Sequence, residues 1–135
     1  MKLKAKIRYA IRILVEIGKN PGKPLSLPLV EERQHISAKY ARQILQPLED
    51  KKIVGSRRGM KGGYFLKKKA SKISLLDVVN SLSENVKIAP CLENPGICER
   101  EDVCGAKIRW EELQSLIEDF FGKTTIQDVI DREKE

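Results

Sequence analysis

The sequence predicts a mainly α-helical fold with one small β-hairpin. Apolar residues recur at three- and four-residue spacing in most of the chain, which is typical of helices that bury one face. Two short apolar runs within residues 53–66 are instead separated by a glycine-rich turn, which is typical of a hairpin. The length of 135 residues suits one compact domain, alone or with an extension.

Three helices are predicted before the hairpin. The first runs from about Lys4 to Ile17, and Gly18 is its expected C-terminal cap. The second runs from the capping residue Ser26 to about Arg33, and a tight link joins it to a third helix capped by Ser37. Pro47 is expected to loosen the final turn of the third helix. Two short helices joined in this way form a helix-turn-helix.

The hairpin follows the helix-turn-helix directly. Its strands are predicted at Ile53–Arg57 and Tyr64–Leu66, and its turn at Gly59–Gly63. A hairpin in this position is the wing of a winged helix. The predicted fold class is therefore a winged helix-turn-helix with further helices after it.

The C-terminal part begins with a fourth helix from Ser74 to about Leu82, which Asp77 opens in the manner of a capping box. Residues 83–102 lack periodicity and contain two prolines and one glycine, so they are predicted to form a loop. Loops of this length are usually functional or disordered.

A long helix is predicted from about Val103 to Phe121, ending at Gly122, and a short one from Thr125 to about Arg132. The expected organisation is a DNA-binding winged helix over residues 1–82, a cysteine-bearing sensor loop over 83–102, and a dimerisation helix with its short companion over 103–135. The long helix carries a broad apolar stripe formed by Ile108, Leu113, Leu116, Ile117, Phe120 and Phe121.

The two halves of the chain carry opposite charge. Residues 1–72 contain 19 Lys and Arg against 5 Asp and Glu, a net charge of +14. Residues 73–135 contain 7 against 14, a net charge of −7. A general solubility charge would explain a uniform excess better than a segregated one. The segregation predicts a polyanionic partner for the first half.

The third helix and the wing are the predicted DNA-contacting elements. A recognition helix presents polar residues to base edges in the major groove, and a flexible basic wing lies along phosphates or in the minor groove. The alternatives are an ordinary solvated helix face and a solvent-exposed hairpin. The predicted DNA-binding residues are Lys39, Tyr40, Arg42, Gln43, Arg57, Arg58, Gly59, Lys61, Gly62 and Gly63.

With these motifs in place, the chain resembles the winged-helix regulator family that includes the iron–sulfur-cluster regulator IscR, the nitric-oxide sensor NsrR and the cysteine-metabolism regulator CymR. The resemblance covers nearly the whole chain and implies a transcriptional regulator, more often a repressor. The matching segments are Met1–Leu3, Arg8–Ala10, Ile36–Ser37, Ser56–Gly59, Gly62–Tyr64, Ile73–Val79, the three cysteines and the region of Trp110.

The resemblance also implies a homodimer that binds a pseudo-palindromic operator in double-stranded DNA. In such a dimer the long helix would pack against the partner's copy. The breadth of the apolar stripe supports this independently. The stripe could instead cover the winged-helix core, and both uses are compatible because a helix has two faces.

Three cysteines, Cys91, Cys98 and Cys104, lie within fourteen residues. An odd number in a cytosolic chain argues against disulfides and favours metal or redox chemistry. Zinc sites usually use two-residue spacings, which are absent here, whereas thiolates in a wider loop suit an iron–sulfur cluster. The alternative is three small buried apolar residues. The resemblance implies that these three cysteines are the metal ligands of an iron–sulfur cluster.

The fourth cluster ligand is open. Some family members have a histidine three residues after the last cysteine, where this chain has Lys107. Others use a carboxylate from the first helix of the partner subunit, and in that area the first helix of this chain has Ile7 and Arg8. The one histidine, His35, lies in the helix-turn-helix link and is expected to be structural.

Other protein classes fit less well. Catalytic constellations are missing, so an enzyme is not expected, and no apolar run approaches the ~20 residues of a membrane span. The expected location is cytoplasmic. Three alternatives remain: a regulator of the same fold that responds to a partner protein or to thiol oxidation without a cluster, an RNA-binding module, and an assembly protein. The chain lacks the aromatic residues on which an RNA-binding module would stack single-stranded bases. An assembly protein would not explain the positive charge of residues 1–72.

Overall fold

The computed structural model describes residues 2–134 and is mainly helical, with one two-stranded antiparallel hairpin, as predicted. Two 3₁₀ turns, at Ala70–Lys72 and Glu101–Val103, interrupt the later connections. The elements in chain order are α1 (Ala5–Gly18), α2 (Leu27–Gln34), α3 (Ala38–Asp50), β1 (Val54–Arg57), β2 (Gly63–Leu66), α4 (Leu75–Ser81), α5 (Pro90–Glu93), α6 (Gly105–Lys123) and α7 (Ile126–Ile130).

Helix α1 lies at the centre of the core. It contacts α2, α3, α4, α7 and β2, so more of its surface is buried than the predicted single face. Ile7, Leu14 and Ile17, whose spacing places them on one face of the helix, are buried, and Ile13 and Val15 are buried with them. A helix surrounded by other elements is apolar on most sides.

Serine side chains begin three of the helices, as the sequence predicts. The Ser26 hydroxyl accepts a hydrogen bond from the Leu29 amide, and Ser37 accepts one from the Tyr40 amide. Ser74 exchanges hydrogen bonds with Asp77 in a complete capping box. These contacts satisfy amides that have no partner within the helix. They fix where the helix-turn-helix and α4 begin.

The link between α2 and α3 turns at His35. This residue has φ 55°, in the left-handed region, and its amide donates to the Glu31 carbonyl at 3.0 Å. Histidine is among the residues that adopt this conformation more readily than most. In the structure His35 ends α2.

Several predicted boundaries are wrong. Gly18 and Gly122 are not the caps of their helices: Gly18 is the last residue of α1, which Lys19 caps, and α6 continues to Lys123. Gly18 packs closely against α7: a Cβ there would lie 2.8 Å from Ile130 Cδ1, so the Ile130 side chain would have to move. Helix α6 begins at Gly105 rather than Val103, where a 3₁₀ turn ends.

The structure also differs from the sequence prediction at two prolines. Pro47 lies inside α3, which continues to Asp50 because Leu48 packs fully buried in the core. Pro90 begins the short helix α5, in a segment predicted to be loop throughout. Proline fits the first turn of a helix because the amide it lacks has no partner there.

The hairpin is fastened to the rest of the domain. Val54 pairs with Leu66 and Arg57 with Gly63. The amide and carbonyl of Tyr64 both bond to Leu25, at 2.8 Å each, so the loop before α2 adds a third, bridge-like partner. The base of the wing is therefore held against the helix-turn-helix.

The chain returns to α1 at its C-terminal end. Ile126 of α7 is fully buried in the core, and its amide donates to the Ile73 carbonyl at 2.9 Å. Helix α6 packs on α4, and Phe121 touches the core. Within residues 2–134, no helix combines the length and apolar character that crossing a membrane requires.

Candidate nucleic-acid interface and cysteine loop

The outer face of α3 carries the predicted recognition residues. Lys39, Arg42 and Gln43 are all exposed, whereas Ile44 and Leu45 on the opposite face are fully buried. The helix period separates the two sets, because residues three or four apart share a face. The structure thus brings these three polar side chains together on one accessible helix surface.

Tyr40 has a different environment from its neighbours on α3. Its ring is half-buried and lies edge-to-face against the ring of Tyr9 on α1, with 5.8 Å between the ring centres. Such pairs add to the packing energy beyond their buried area. Tyr40 therefore anchors the start of α3 on α1.

Two arginines of α1, Arg8 and Arg12, are not among the DNA-binding residues that the sequence predicts. The guanidinium carbons of Arg8 and Arg12 lie 5.7 and 5.3 Å from the centre of the Tyr9 ring. The Arg12 Nε atom also donates to the Gln34 side chain at 2.8 Å. The sequence signal that could have identified these two arginines is their spacing of four residues, which places both side chains on one face of α1 beside Tyr9. They add positive charge beside the start of α3.

A buried carboxylate ties α1 to the end of α2. Glu16 is 5% exposed and accepts hydrogen bonds from Gln34 Nε2 at 2.7 Å and Lys19 Nζ at 3.0 Å. Arg33 lies 3.7 Å from its other oxygen. A buried carboxylate is tolerated when it is paired and hydrogen-bonded. Glu16 therefore fixes the orientation of α2, and with it the helix-turn-helix.

The tip of the wing is basic and open. Arg57, Arg58 and Lys61 are exposed on either side of Gly59, whose φ of 105° favours glycine. The Gly62 amide donates to the Gly59 carbonyl at 3.0 Å and closes the turn.

Gly62 and Gly63 lie so close to other backbone atoms that a side chain would not fit at either position. A Cβ on Gly62 would lie 2.2 Å from the Arg57 carbonyl oxygen. A Cβ on Gly63, where φ is 147°, would lie 2.5 Å from the Leu25 carbonyl. The sequence places both glycines among the predicted DNA-binding residues. In the structure they also close the hairpin and seat it on the loop before α2.

The Gly62→Ala substitution is expected to destabilise the protein by about 1–3 kcal/mol, because a backbone oxygen occupies the space of the new Cβ. Urea unfolding monitored by circular dichroism measures this loss. Gly105→Ala is the matched control, since nothing lies within 4 Å of its Cβ position and it begins α6. Equal stability of the two variants would contradict the close approach in the wing.

The cysteine loop, residues 82–104 between α4 and α6, holds three free thiols. Cys91 lies in α5 and Cys104 directly precedes α6, both half-buried, while Cys98 is exposed between them. Within residues 2–134, no three Cys, His, Asp or Glu side chains are close enough together to hold a metal ion. The donors suit a thiophilic group by their chemistry. Binding of one shared group would require the loop to bring the three thiols closer together.

An ion pair with α6 holds the second half of the cysteine loop in place. Glu101 pairs with Lys107 of α6 and also accepts a hydrogen bond from the Gly96 amide at 2.5 Å. The Lys107 hydrogen bond, helped by the Gly96 amide, holds the pKa of Glu101 below its ordinary value. A lowered carboxyl pKa means that the pair stabilises the loop at neutral pH and that this stabilisation is lost as acid protonates Glu101.

A buried glutamine holds the first half of the loop. Gln114 of α6 is 4% exposed; its side-chain oxygen accepts from the Ile88 amide at 2.8 Å, and its nitrogen donates to the Val86 carbonyl at 3.0 Å. Lys87 pairs with Glu118 at 2.9 Å beside it. No local sequence signal marks Gln114, because its partners lie more than twenty residues earlier. Both ends of the loop are thus attached to α6.

Comparison with known protein families identifies the family to which the chain belongs. The Rrf2 family, described as "Iron-dependent Transcriptional regulator", matches residues 3–132. The chain belongs to the Rrf2 family. The resemblance inferred from the wing and the cysteine cluster is confirmed.

Relatives of this Rrf2-family chain include other regulators. A putative HTH-type transcriptional regulator of Haemophilus influenzae is 34% identical over 98% of this chain and 88% of its own length. The HTH-type transcriptional regulator IscR of Sodalis glossinidius is 30% identical over 99% of this chain and 81% of its own. The crystal structure of the global cysteine regulator CymR of B. subtilis superposes with a TM-score of 0.83, at 24% identity and covering 99% of both chains.

These findings establish the coarse function. The chain is a winged-helix transcriptional regulator of the Rrf2 family, which implies DNA binding. Its relatives and structural neighbours are regulators rather than enzymes.

Proposed function

We propose that this Rrf2-family protein is a homodimeric regulator that binds a pseudo-palindromic DNA operator and adjusts its affinity through an iron–sulfur cluster in the cysteine loop. The observation that carries the DNA-binding part is the exposed polar face of α3 beside a basic wing, inside a segment of net charge +14. The sign of regulation favoured by the family resemblance is repression. The segments 1–82, 83–102 and 103–135 serve DNA binding, sensing and dimerisation.

The two DNA-contacting elements have different tasks. Lys39, Arg42 and Gln43 of α3 read base edges in the major groove, where arginine prefers guanine and glutamine prefers adenine. The wing, with Arg58 and Lys61 at its tip, contacts phosphates or the minor groove and positions the protein. The remaining contacts proposed are Tyr40, Arg57, Gly59, Gly62 and Gly63.

Dimerisation uses the outward face of α6. Leu116 and Phe120 are 67% and 62% exposed, and Ile108 and Leu113 are exposed near them. Ile117 and Phe121 face inward and are half-buried, so one helix serves both the core and a partner. Exposed apolar patches of this kind mark interaction sites. A two-fold dimer presents two copies of α3, suited to half-sites one helical turn apart, about 34 Å.

The cluster is assigned to Cys91, Cys98 and Cys104, because three free thiols share one loop. When bound, a cluster supplies a redox- and oxygen-sensitive group that holds its ligands together. A protonated Lys107 has no lone pair to offer, and it is already paired with Glu101. The candidates for a fourth ligand are Glu93, Glu99, Glu101, Asp102, a group of the partner subunit and an exogenous thiol.

A cluster-free regulator of the same fold is the second candidate. The observation that favours it is that no metal-binding group is assembled within residues 2–134. The three thiols would then respond to oxidation, or the loop to a partner protein. Purification without oxygen separates the two, because a cluster-bearing protein is brown and contains iron and sulfide.

The DNA-binding assignment predicts distinct effects for helix and wing variants. Arg42→Ala and Gln43→Ala are expected to change which sequences are preferred, by about 1–3 kcal/mol per lost base contact. Arg58→Ala is expected to weaken binding to all sequences and to reduce its salt dependence. The measurement is selection of DNA fragments by each variant, followed by affinity at two salt concentrations.

The control for these variants is Lys51→Ala, an exposed cation just after α3. It is expected to keep the wild-type preference. If both helix variants select the same sequences as the wild type, the recognition-helix assignment is wrong.

A further inference from the structure

A cavity of about 510 Å³ lies behind the wing, between the end of α1, the loop before α2, strand β2 and the lysine run that follows it. We propose that this cavity binds a small organic anion with an apolar body, such as an aromatic carboxylate or phosphate ester, and that binding lowers the affinity for DNA. Its volume lies within the range of small-molecule sites, about 300–1,000 Å³.

The floor of the cavity is apolar. Ile17 is buried, and Phe65 and Leu66 are half-buried, at the bottom of the site. Gly18 also lines it and leaves room between α1 and β2, since Leu66 Cδ1 lies only 3.4 Å from where its Cβ would stand. A concave apolar floor favours a ligand that has an apolar body as well as a charge.

The rim of the cavity is cationic. The lining contains five cations and, among the residues that the structure describes, no carboxylate. The nearby Asp131 carboxylate accepts from the Gln127 side chain at 2.8 Å and does not line the site. Cations gathered around a low-dielectric concavity concentrate positive potential and attract anions. The cationic residues are Lys23, Arg57, Lys67, Lys68 and Lys69.

Of the proposed DNA-contacting residues of the wing, Arg57 also lines the cavity. The Arg57 guanidinium lies over the Phe65 ring, 5.5 Å from its centre, and Arg57 also ends strand β1 in the wing. Guanidinium groups pair with carboxylates and phosphates in a fixed, two-pronged geometry. An anion seated against Phe65 would therefore hold Arg57 in the cavity and compete with DNA for it.

A DNA phosphate is the other anion that the rim could meet. A phosphodiester backbone has no apolar group that would fill the floor formed by Ile17, Phe65 and Leu66. The apolar floor therefore favours a small molecule over DNA as the occupant. Binding of the anion is measured on the protein without DNA, so this step does not depend on the proposed operator binding or on the cluster. The effect on DNA affinity does rest on that proposed function.

Phenyl phosphate is the test ligand, because it joins an aromatic body to an anion. Amide shifts in NMR spectra are expected to map to residues 20–23 and 65–71 as phenyl phosphate is added. Inorganic phosphate and benzyl alcohol, which each lack one half of the ligand, are expected to bind at least tenfold more weakly. The Lys67→Gln, Lys68→Gln, Lys69→Gln triple variant is expected to lose at least tenfold in affinity.

The control triple variant, Lys2→Gln, Lys51→Gln and Lys72→Gln, removes the same charge from exposed positions outside the cavity and is expected to bind normally. The proposal is overturned if inorganic phosphate binds as well as phenyl phosphate, or if the shifts map to the exposed face of α6. It is also overturned if phenyl phosphate does not bind while the first triple variant loses DNA affinity, because the lysines then serve DNA phosphates. The wild-type mapping decides the question even if a variant fails to fold.

Discussion

Leu116→Glu combined with Phe120→Glu is expected to convert the protein from a dimer to a monomer and to lower its affinity for a palindromic duplex by at least about 100-fold. Both side chains point outward from α6 and contribute little to the core of one chain. In a dimer they would be buried against a partner, where four unpaired carboxylates cost several kcal/mol. A monomer also loses the gain from binding two half-sites at once.

Analytical ultracentrifugation and fluorescence anisotropy with a labelled operator measure these two effects. Ser115→Glu is the matched control, because it adds a carboxylate to an exposed position of α6 about a quarter-turn from Leu116. The control is expected to remain dimeric. A double variant that sediments as a dimer and binds DNA normally would remove α6 as the dimer interface.

Cys98→Ala is expected to abolish stoichiometric uptake of iron and sulfide in anaerobic reconstitution. Cys98 is exposed and its thiol is free, so the variant is expected to keep the stability of the wild type. Any loss of uptake then reports on ligation rather than folding. Cys91→Ala and Cys104→Ala are expected to lose uptake as well, because each leaves an iron without one thiolate.

Arg100→Gln, an exposed neighbour in the same loop, is the control and is expected to take up iron normally. The cluster assignment fails if the wild type takes up no stoichiometric iron and sulfide, or if the variant lacking all three cysteines takes up as much. The DNA-binding assignment would survive either result, since it rests on α3 and the wing. The cluster-free regulator would then be the better description.

Local sequence signals predicted most of the fold. The periodicity of α1 and α3, the serine caps and the glycine-rich turn each depend on residues within a few positions of one another. The sequence predicts C-terminal ends of α1 and α6 that are slightly too early, because a glycine is interpreted as the cap of each helix. Gly18 lies against Ile130 of α7, more than one hundred residues later in the chain, where a Cβ on Gly18 would lie 2.8 Å from Ile130 Cδ1. No local pattern contains that contact.

The candidate site divides in the same way. The exposed face of α3 follows from helix period alone, so Lys39, Arg42 and Gln43 could be grouped from sequence. Glu16 and Gln114 could not be found, because their roles come from hydrogen bonds to residues 18 and 26 positions away. The spatial relation of the thiols depends on loop conformation, which spacing along the chain does not determine.

The C-terminal end of helix α6 continues directly into the core, whereas its first residues contact the cysteine loop. Its C-terminal end passes into Thr124, whose carbonyl accepts from the Leu75 amide at 2.9 Å, and then into the buried Ile126. With 19 residues the helix is about 28 Å long. A tilt of about 10° around that fixed end moves the start of α6, where Cys104 lies, by about 5 Å. Rearrangements of the loop on the ångström scale thus correspond to small tilts of α6, and in the proposed homodimer two-fold symmetry would apply the same tilt to both subunits.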